Sequence, residues 1–116
     1  MAPPSEITKF CSVFESIRNT LTKKQLRAYI SSNDNSGFVR AAVLLLRNTC
    51  VKAVIKPPRQ LWESLRRYKE TIRRLVDPAI SVKRKREELA KSLPLVKLIA
   101  ELVSSFQRQW ELKNTF

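Results

Sequence analysis

The chain has 116 residues, of which 43% are hydrophobic and one is glycine, so the composition excludes disorder throughout and leaves few residues for tight turns. We therefore expect a single all-α domain over residues 1–116, a compact bundle of five to six short helices with no sheet. Its 23 Lys and Arg residues against 10 Asp and Glu residues give a formal net charge of +13, which favours binding to a polyanion.

Three helices are predicted in the first half of the chain. Apolar residues at helical spacing place the first helix over 5–19, and a capping box at Thr22 begins the second, over 23–31. The polar stretch 31–37 predicts a loop. Residues 38–55 are apolar nearly all round and predict the central helix that the others pack against, although a buried strand within this stretch is the competing interpretation.

Two further helices are predicted after Pro57-Pro58, which end the central helix because a residue before proline disfavours helical backbone angles. The first of them spans 59–76 and stops at Asp77-Pro78. The second is capped by Ser81 and reaches about residue 91.

The last predicted helix, over about 94–112, opens with Pro94 and carries a continuous apolar stripe. Burial in this domain is the default role of the stripe, and pairing with a second copy is the next. A membrane surface is the weakest of the three, because the helix has few basic residues on its polar face. The stripe consists of Leu95, Leu98, Ile99, Leu102, Val103 and Phe106.

Catalysis and metal binding have little support in the sequence. The chain has no histidine, no Gly-rich phosphate loop and no nucleophile with a base at a recognisable spacing. Cys11 and Cys50 each lie in an apolar helical pattern and are interpreted as reduced core residues, with one disulfide between them as the alternative. We expect no enzyme activity, no cofactor and no metal.

The sequence shows no signal peptide and no apolar run long enough to span a bilayer. We therefore expect a soluble intracellular protein without a membrane span. Four consecutive basic residues, 83–86, match the usual nuclear-import pattern, so a nuclear location is predicted.

The basic segment 58–92 holds 11 basic and 5 acidic residues, and some of its charges have a local explanation. Glu63 precedes Arg67 by four positions, and Glu70 precedes Arg74 by four, which is the favourable order for ion pairs within a helix. We expect these two arginines to contribute less to the binding of a polyanion than the cations without such a partner.

The remaining cations of this segment are the primary candidates for contact with phosphates. Four of them cluster within about 80° of arc on the predicted helix, opposite its Leu61, Leu65 and Ile72 face. These are Arg59, Arg66, Lys69 and Arg73. Four more begin the following helix, where the helix dipole disfavours cations: Lys83, Arg84, Lys85 and Arg86.

Readout of base sequence is predicted to be slight. Trp62 and Tyr68 are able to stack on bases, but both fall on the apolar side of the helix, so core packing is the favoured role by about fourfold. No zinc finger, basic zipper or Gly-containing helix-turn-helix is recognisable. The pattern favours binding to the nucleic-acid backbone with little specificity.

Three motifs resemble a small basic open reading frame of Polinton (Maverick) and adinto-like virus elements of animals. They are TKKQL at 22–26, RYKETIRRL at 67–75 and ISVKRKR at 80–86, and the likeness spans about residues 13–103. The hydrophobic tail of that family usually opens with Gly-Gly, where this chain has Ser92-Leu93-Pro94. The resemblance implies a short basic protein of a virus-like element that condenses the genome or links it to the capsid, in the virion or the nucleus.

Two functions follow as hypotheses. The leading one is sequence-nonspecific binding of nucleic acid, with DNA favoured over RNA, through the cations of segment 58–92. The alternative is a protein-interaction module, such as a capsid-associated scaffold or a death-domain-like adaptor, that binds an acidic partner or forms a homo-oligomer through its C-terminal apolar helix.

Overall fold

The structure is a computed structural model. It describes residues 10–32, 36–52 and 56–115, with side chains described up to residue 105. Seven α-helices account for most of these residues. The helices are α1 (Cys11–Asn19), α2 (Lys23–Ser31), α3 (Ser36–Leu46), α4 (Arg59–Arg66), α5 (Lys69–Val76), α6 (Val82–Lys91) and α7 (Leu93–Thr115). No strand occurs within these ranges. The predicted all-α bundle is confirmed, and the predicted number of helices is slightly too small.

The additional helix arises because the single helix predicted over 59–76 is two helices. The backbone of Tyr68 leaves the helical region, with φ −107° and ψ 20°, and its N–H donates to the carbonyl of Leu65, 2.9 Å away. Apolar residues keep helical spacing on both sides of this turn, so periodicity alone does not reveal it.

The central helix also ends differently from its prediction. Regular α-helical geometry stops at Leu46, and Arg47–Val51 form a π-helical turn in which the N–H of Lys52 donates to the carbonyl of Arg47 at 2.9 Å. The buried Thr49 hydroxyl donates to the carbonyl of Leu45 at 2.8 Å, a side-chain bond that bends helices. Residues 53–55, the end of the predicted helix, lie outside the described residues, as does the predicted start near residue 5.

The other helix ends differ from prediction by a few residues. Helix α3 begins at Ser36, inside the predicted loop 31–37, whose residues 33–35 lie outside the described part of the chain. Helix α7 begins one residue earlier and ends three residues later than predicted. The capping box of α2 is present as predicted: the N–H of Gln25 donates to the Thr22 hydroxyl, and the N–H of Thr22 donates to the Gln25 side chain.

Helix α3 lies at the centre of the core, as its all-round apolar sequence predicts. Seven of its residues are buried, and the rings of Phe14 and Tyr29 approach the Phe38 ring to 5.1 and 5.2 Å between centroids. Phe10 packs edge-on to Phe38 and covers Gly37, where an added Cβ would come within 3.1 Å of the Phe10 ring. Truncating a ring as buried as Phe14 to alanine typically costs about 3–5 kcal/mol.

Helix α7 packs mainly against α1 and also contacts α3 and α4. Its residues Leu95, Ile99 and Leu102 are fully buried, and Val103 is nearly so. The described part of the apolar stripe is therefore mostly covered inside the chain, with Leu98 half-buried, while Phe106 lies beyond the described side chains. Among the described residues, no helix is long and apolar enough to cross a membrane.

Candidate nucleic-acid interface

A basic stripe runs along one side of α4 and α5. Trp62, Arg66, Lys69 and Arg73 succeed each other at spacings of four, three and four residues, which brings their side chains to the same side of a helix. All four line one open groove of about 520 Å³. We call this the Trp62 groove.

The floor of the Trp62 groove is apolar and comes from two parts of the chain. Leu65, Ile72 and Val76 contribute from α4 and α5, and Cys50 and Val51 contribute from the π-helical turn after α3. The predicted cations therefore border the Leu65 and Ile72 face and do not lie opposite to it. The reason is that a spacing of four residues places Lys69 only about 40° from Leu65 around the helix axis, so the arc of cations adjoins the apolar arc.

Trp62 is the clearest departure from the sequence prediction at this site. Its side chain is 37% exposed and, with Val51 at 62%, is one of two large hydrophobic residues left exposed among the described residues. The prediction that Trp62 packs in the core is wrong. Tyr68, by contrast, is half-buried and packs against the core, as predicted. The turn at Arg67–Tyr68 separates the two rings.

Carboxylates compensate only part of the charge in the Trp62 groove. No carboxylate lines it, and neither Arg66 nor Lys69 forms an ion pair with any described residue. Arg73 has an exposed partner, with its Nη1 3.0 Å from Oε1 of Glu70. Exposed pairs of this kind contribute little and exchange readily. The groove thus presents three cations above an apolar floor.

The ion pairs of this segment differ from those predicted. Glu63 pairs with Arg59 at 3.2 Å and not with Arg67, which lies beyond the end of α4. Arg74 pairs with Glu88 of α6 at 3.3 Å. Glu70, the predicted partner of Arg74, pairs with Arg73 instead. Arg59, predicted to be available for phosphate contact, does not line the groove, whereas Arg67 is exposed and has no ion pair among the described residues.

The basic run, Lys83 to Arg86, does not form one surface, because consecutive residues on a helix point about 100° apart. Arg84 is exposed, and its N–H donates to the Ser81 hydroxyl at 3.3 Å, so Ser81 caps α6 as predicted. Lys85 is only 7% exposed and lines a cavity of about 290 Å³ with Arg40 and Arg47. Its predicted role as a phosphate contact does not fit this position.

The surroundings of Lys85 disfavour its charge. Burial lowers the pKa of the ammonium below its ordinary value of 10.5, and the charge of Arg47 lowers this pKa further. The carboxylate of Asp77 acts in the opposite direction. Arg47 itself donates to the carbonyl of Val76 at 2.8 Å, which ties the end of α3 to the end of α5.

Lys83 and Arg86 lie together in a second basic region, between α2 and α6. They line a cleft of about 630 Å³ with Arg27, Lys91 and a single carboxylate, Glu87. Arg86 also donates to the carbonyl of Ser32 at 3.4 Å. We call this region the α2–α6 cleft. Arg27 and Lys91 do not stand out in the sequence pattern, because only the packing of α2 on α6 brings them beside the basic run.

Neither cysteine forms a disulfide, and both are half-buried against the core. Burial raises the pKa of the Cys11 and Cys50 thiols above their ordinary value of 9.0, so both are protonated near neutral pH. Among the described residues, no three Asp, Glu, Cys or His side chains come together as a metal site would require. The arrangement offers cationic and apolar surface for binding.

The chain matches no protein-family model, and comparison with characterised proteins and with solved structures finds no significant similarity. The two basic regions therefore carry the functional argument.

Proposed function

We propose that the protein binds nucleic acid without sequence specificity, DNA in preference to RNA, through the cations of the Trp62 groove. The observation that carries the proposal is the alignment of Arg66, Lys69 and Arg73 along one groove that no carboxylate lines. Cations held in this way displace the counterions of a phosphate backbone, which supplies most of the free energy of nonspecific binding.

A second contact is assigned to the α2–α6 cleft, where Arg27, Lys83, Arg86 and Lys91 surround one carboxylate. Exposed Arg67 and Arg84 add to the positive field around the two regions. Lys85 is left out of the interface because it is buried. The cations of the two regions suit contact with phosphates, which supports binding to the nucleic-acid backbone.

The resemblance to a small basic protein of Polinton and adinto-like elements fits this proposal. In such an element, we expect a protein of this charge to condense the genome or to link it to the capsid, in the nucleus or in the virion. The competing hypothesis of self-association through α7 receives less support, because Leu95, Ile99 and Leu102 are already buried within the chain.

The proposal is tested by fluorescence anisotropy with labelled DNA and RNA of random sequence. We expect binding at low salt that weakens steeply between about 50 and 200 mM, with a slope of the logarithm of affinity near −0.9 per phosphate contact on duplex. An affinity that is absent at low salt, or that does not change with salt, contradicts the proposal.

A charge-reversal variant localises the contact. Arg66→Glu, Lys69→Glu and Arg73→Glu together should lower the affinity at least about tenfold and reduce the salt slope by about 0.9 for each phosphate that the protein no longer neutralises. The matched control reverses three exposed cations outside both basic regions, Lys23, Lys24 and Lys97, for the same change in net charge. An equal fall in affinity in both variants would mean that net charge acts without a site.

A further inference from the structure

We propose that the Trp62 groove receives an unpaired nucleobase, so that the protein binds single-stranded nucleic acid more tightly than duplex. This inference rests on the proposed nucleic-acid binding and specifies the form of nucleic acid that the groove prefers. It starts from the indole of Trp62, which is the one aromatic ring in a groove otherwise lined by cations and aliphatic side chains, with the Cys50 thiol at its floor.

The position of Trp62 is suited to stacking. Trp62 as a residue is over one third exposed and does not belong to the core. Val51, which lines the same groove, is 62% exposed and extends the apolar surface. Every base has a flat aromatic face, so stacking on an exposed indole is tolerant of sequence. A base within a duplex has both faces covered by its neighbours and cannot stack on Trp62.

The size of the groove also fits an unpaired base. At about 520 Å³ it falls within the range of sites that hold small organic molecules. A duplex, being far wider, contacts only the rim, where its phosphates meet Arg66, Lys69 and Arg73. A single strand reaches the same cations and also places a base on the apolar floor.

The charges of the rim favour a nucleic acid over other occupants. Arg66 ends α4 and Arg73 lies in α5, and both line the groove with Lys69, which comes between them in the chain. Three cations in this arrangement follow a phosphate chain, and guanidinium planes also stack on bases. An acidic peptide with apolar side chains is the competing occupant, and the experiment separates the two.

The experiment compares four ligands by fluorescence anisotropy at about 150 mM salt. They are oligothymidylate of about 16 nucleotides, a duplex of equal length, an abasic strand of equal charge and a glutamate-rich peptide that contains leucine. We expect oligothymidylate to bind at least about tenfold more tightly than the duplex or the abasic strand. The peptide should compete only weakly.

Substitution of Trp62 tests the stacking directly. Trp62→Ala should weaken oligothymidylate binding by about 5- to 100-fold and duplex binding by less than about twofold, while Trp62→Phe should retain most of the affinity. In a Trp110→Phe background, Trp62 is the one remaining tryptophan, and its emission should be quenched by oligothymidylate. Thermal melts followed by circular dichroism check that each variant is folded.

The outcomes distinguish this inference from the proposed function. Equal binding of single strand and duplex, both weakened by reversal of Arg66, Lys69 and Arg73 and unaffected by Trp62→Ala, leaves nucleic-acid binding intact and overturns the inference. No binding of any nucleic acid overturns both. A peptide that quenches Trp62 and displaces oligothymidylate at equal concentration assigns the groove to an acidic protein and also overturns the inference.

Discussion

The Trp62 groove and the basic run of α6 have comparable local charge in the sequence, but the fold uses them differently. In the groove, spacings of four, three and four residues keep Trp62, Arg66, Lys69 and Arg73 on one side of two successive helices. In the run, four consecutive cations spread around α6, so that Arg84 is exposed, Lys85 is buried, and Lys83 and Arg86 face α2. Spacing, and not the number of cations, decides whether a basic segment forms one surface.

The largest expected difference between the two regions is in binding. Reversing Arg66, Lys69 and Arg73 should weaken the binding of a single strand at least about tenfold, whereas reversing Lys83, Arg84 and Arg86 should weaken it by about threefold. Both variants change the net charge equally, so anisotropy at one salt concentration compares them directly. A larger effect from the α6 variant would reverse the comparison and identify the α2–α6 cleft as the main contact.

The next test compares the effect on stability of removing the buried charge of Lys85 with that of removing an exposed charge in the same run. Lys85→Met keeps the aliphatic stem and removes a charge that lies beside Arg47, so the free energy of unfolding should be unchanged or rise by about 1 kcal/mol. Lys83→Met, at an exposed position, should change it by less than about 0.5 kcal/mol. Urea denaturation measures both. A marked fall in the stability of Lys85→Met would mean that its ammonium is well compensated.

The same residue predicts a pH dependence. Because the pKa of Lys85 is lowered in the folded chain, the unfolded chain binds more protons between that pKa and 10.5, and stability rises with pH through this window. The raised pKa values of Cys11 and Cys50 act in the opposite direction above pH 9.0 and are common to wild type and Lys85→Met. The free energy of unfolding of the wild type should therefore increase relative to that of Lys85→Met as the pH rises through this window. A stability difference that is independent of pH contradicts a lowered pKa of Lys85 in the folded chain.

The smallest expected effects concern the ion pairs of α4 and α5 that lie outside the groove. A double-mutant cycle on Arg59 and Glu63 should show no measurable coupling, because the Arg59 side chain is 92% exposed. The Arg74–Glu88 pair joins α5 to α6 and is less exposed, so its coupling should be about 0.5 kcal/mol. Equal coupling energies for the two pairs would indicate that the packing of α5 on α6 does not strengthen the Arg74–Glu88 ion pair.

Much of the fold is predictable from local signals. Apolar periodicity, the Thr22 capping box and the prolines place most of the helices, because these features act within one or two turns. The turn at Arg67–Tyr68 and the π-helical turn after Leu46 are not predictable in this way, since the apolar spacing continues through both.

For the candidate site, the sequence by itself determined which cations share a helix face, because helical spacing is a local property. It predicted Arg59, Arg66, Lys69 and Arg73 as one cluster, of which Arg59 does not line the groove. Only the tertiary structure decided that no other helix covers Trp62, that Cys50 and Val51 complete the groove, and that Lys85 is buried against α3. Burial depends on which helix covers which face. That choice is made by contacts between residues distant in the chain, and helical periodicity does not encode it.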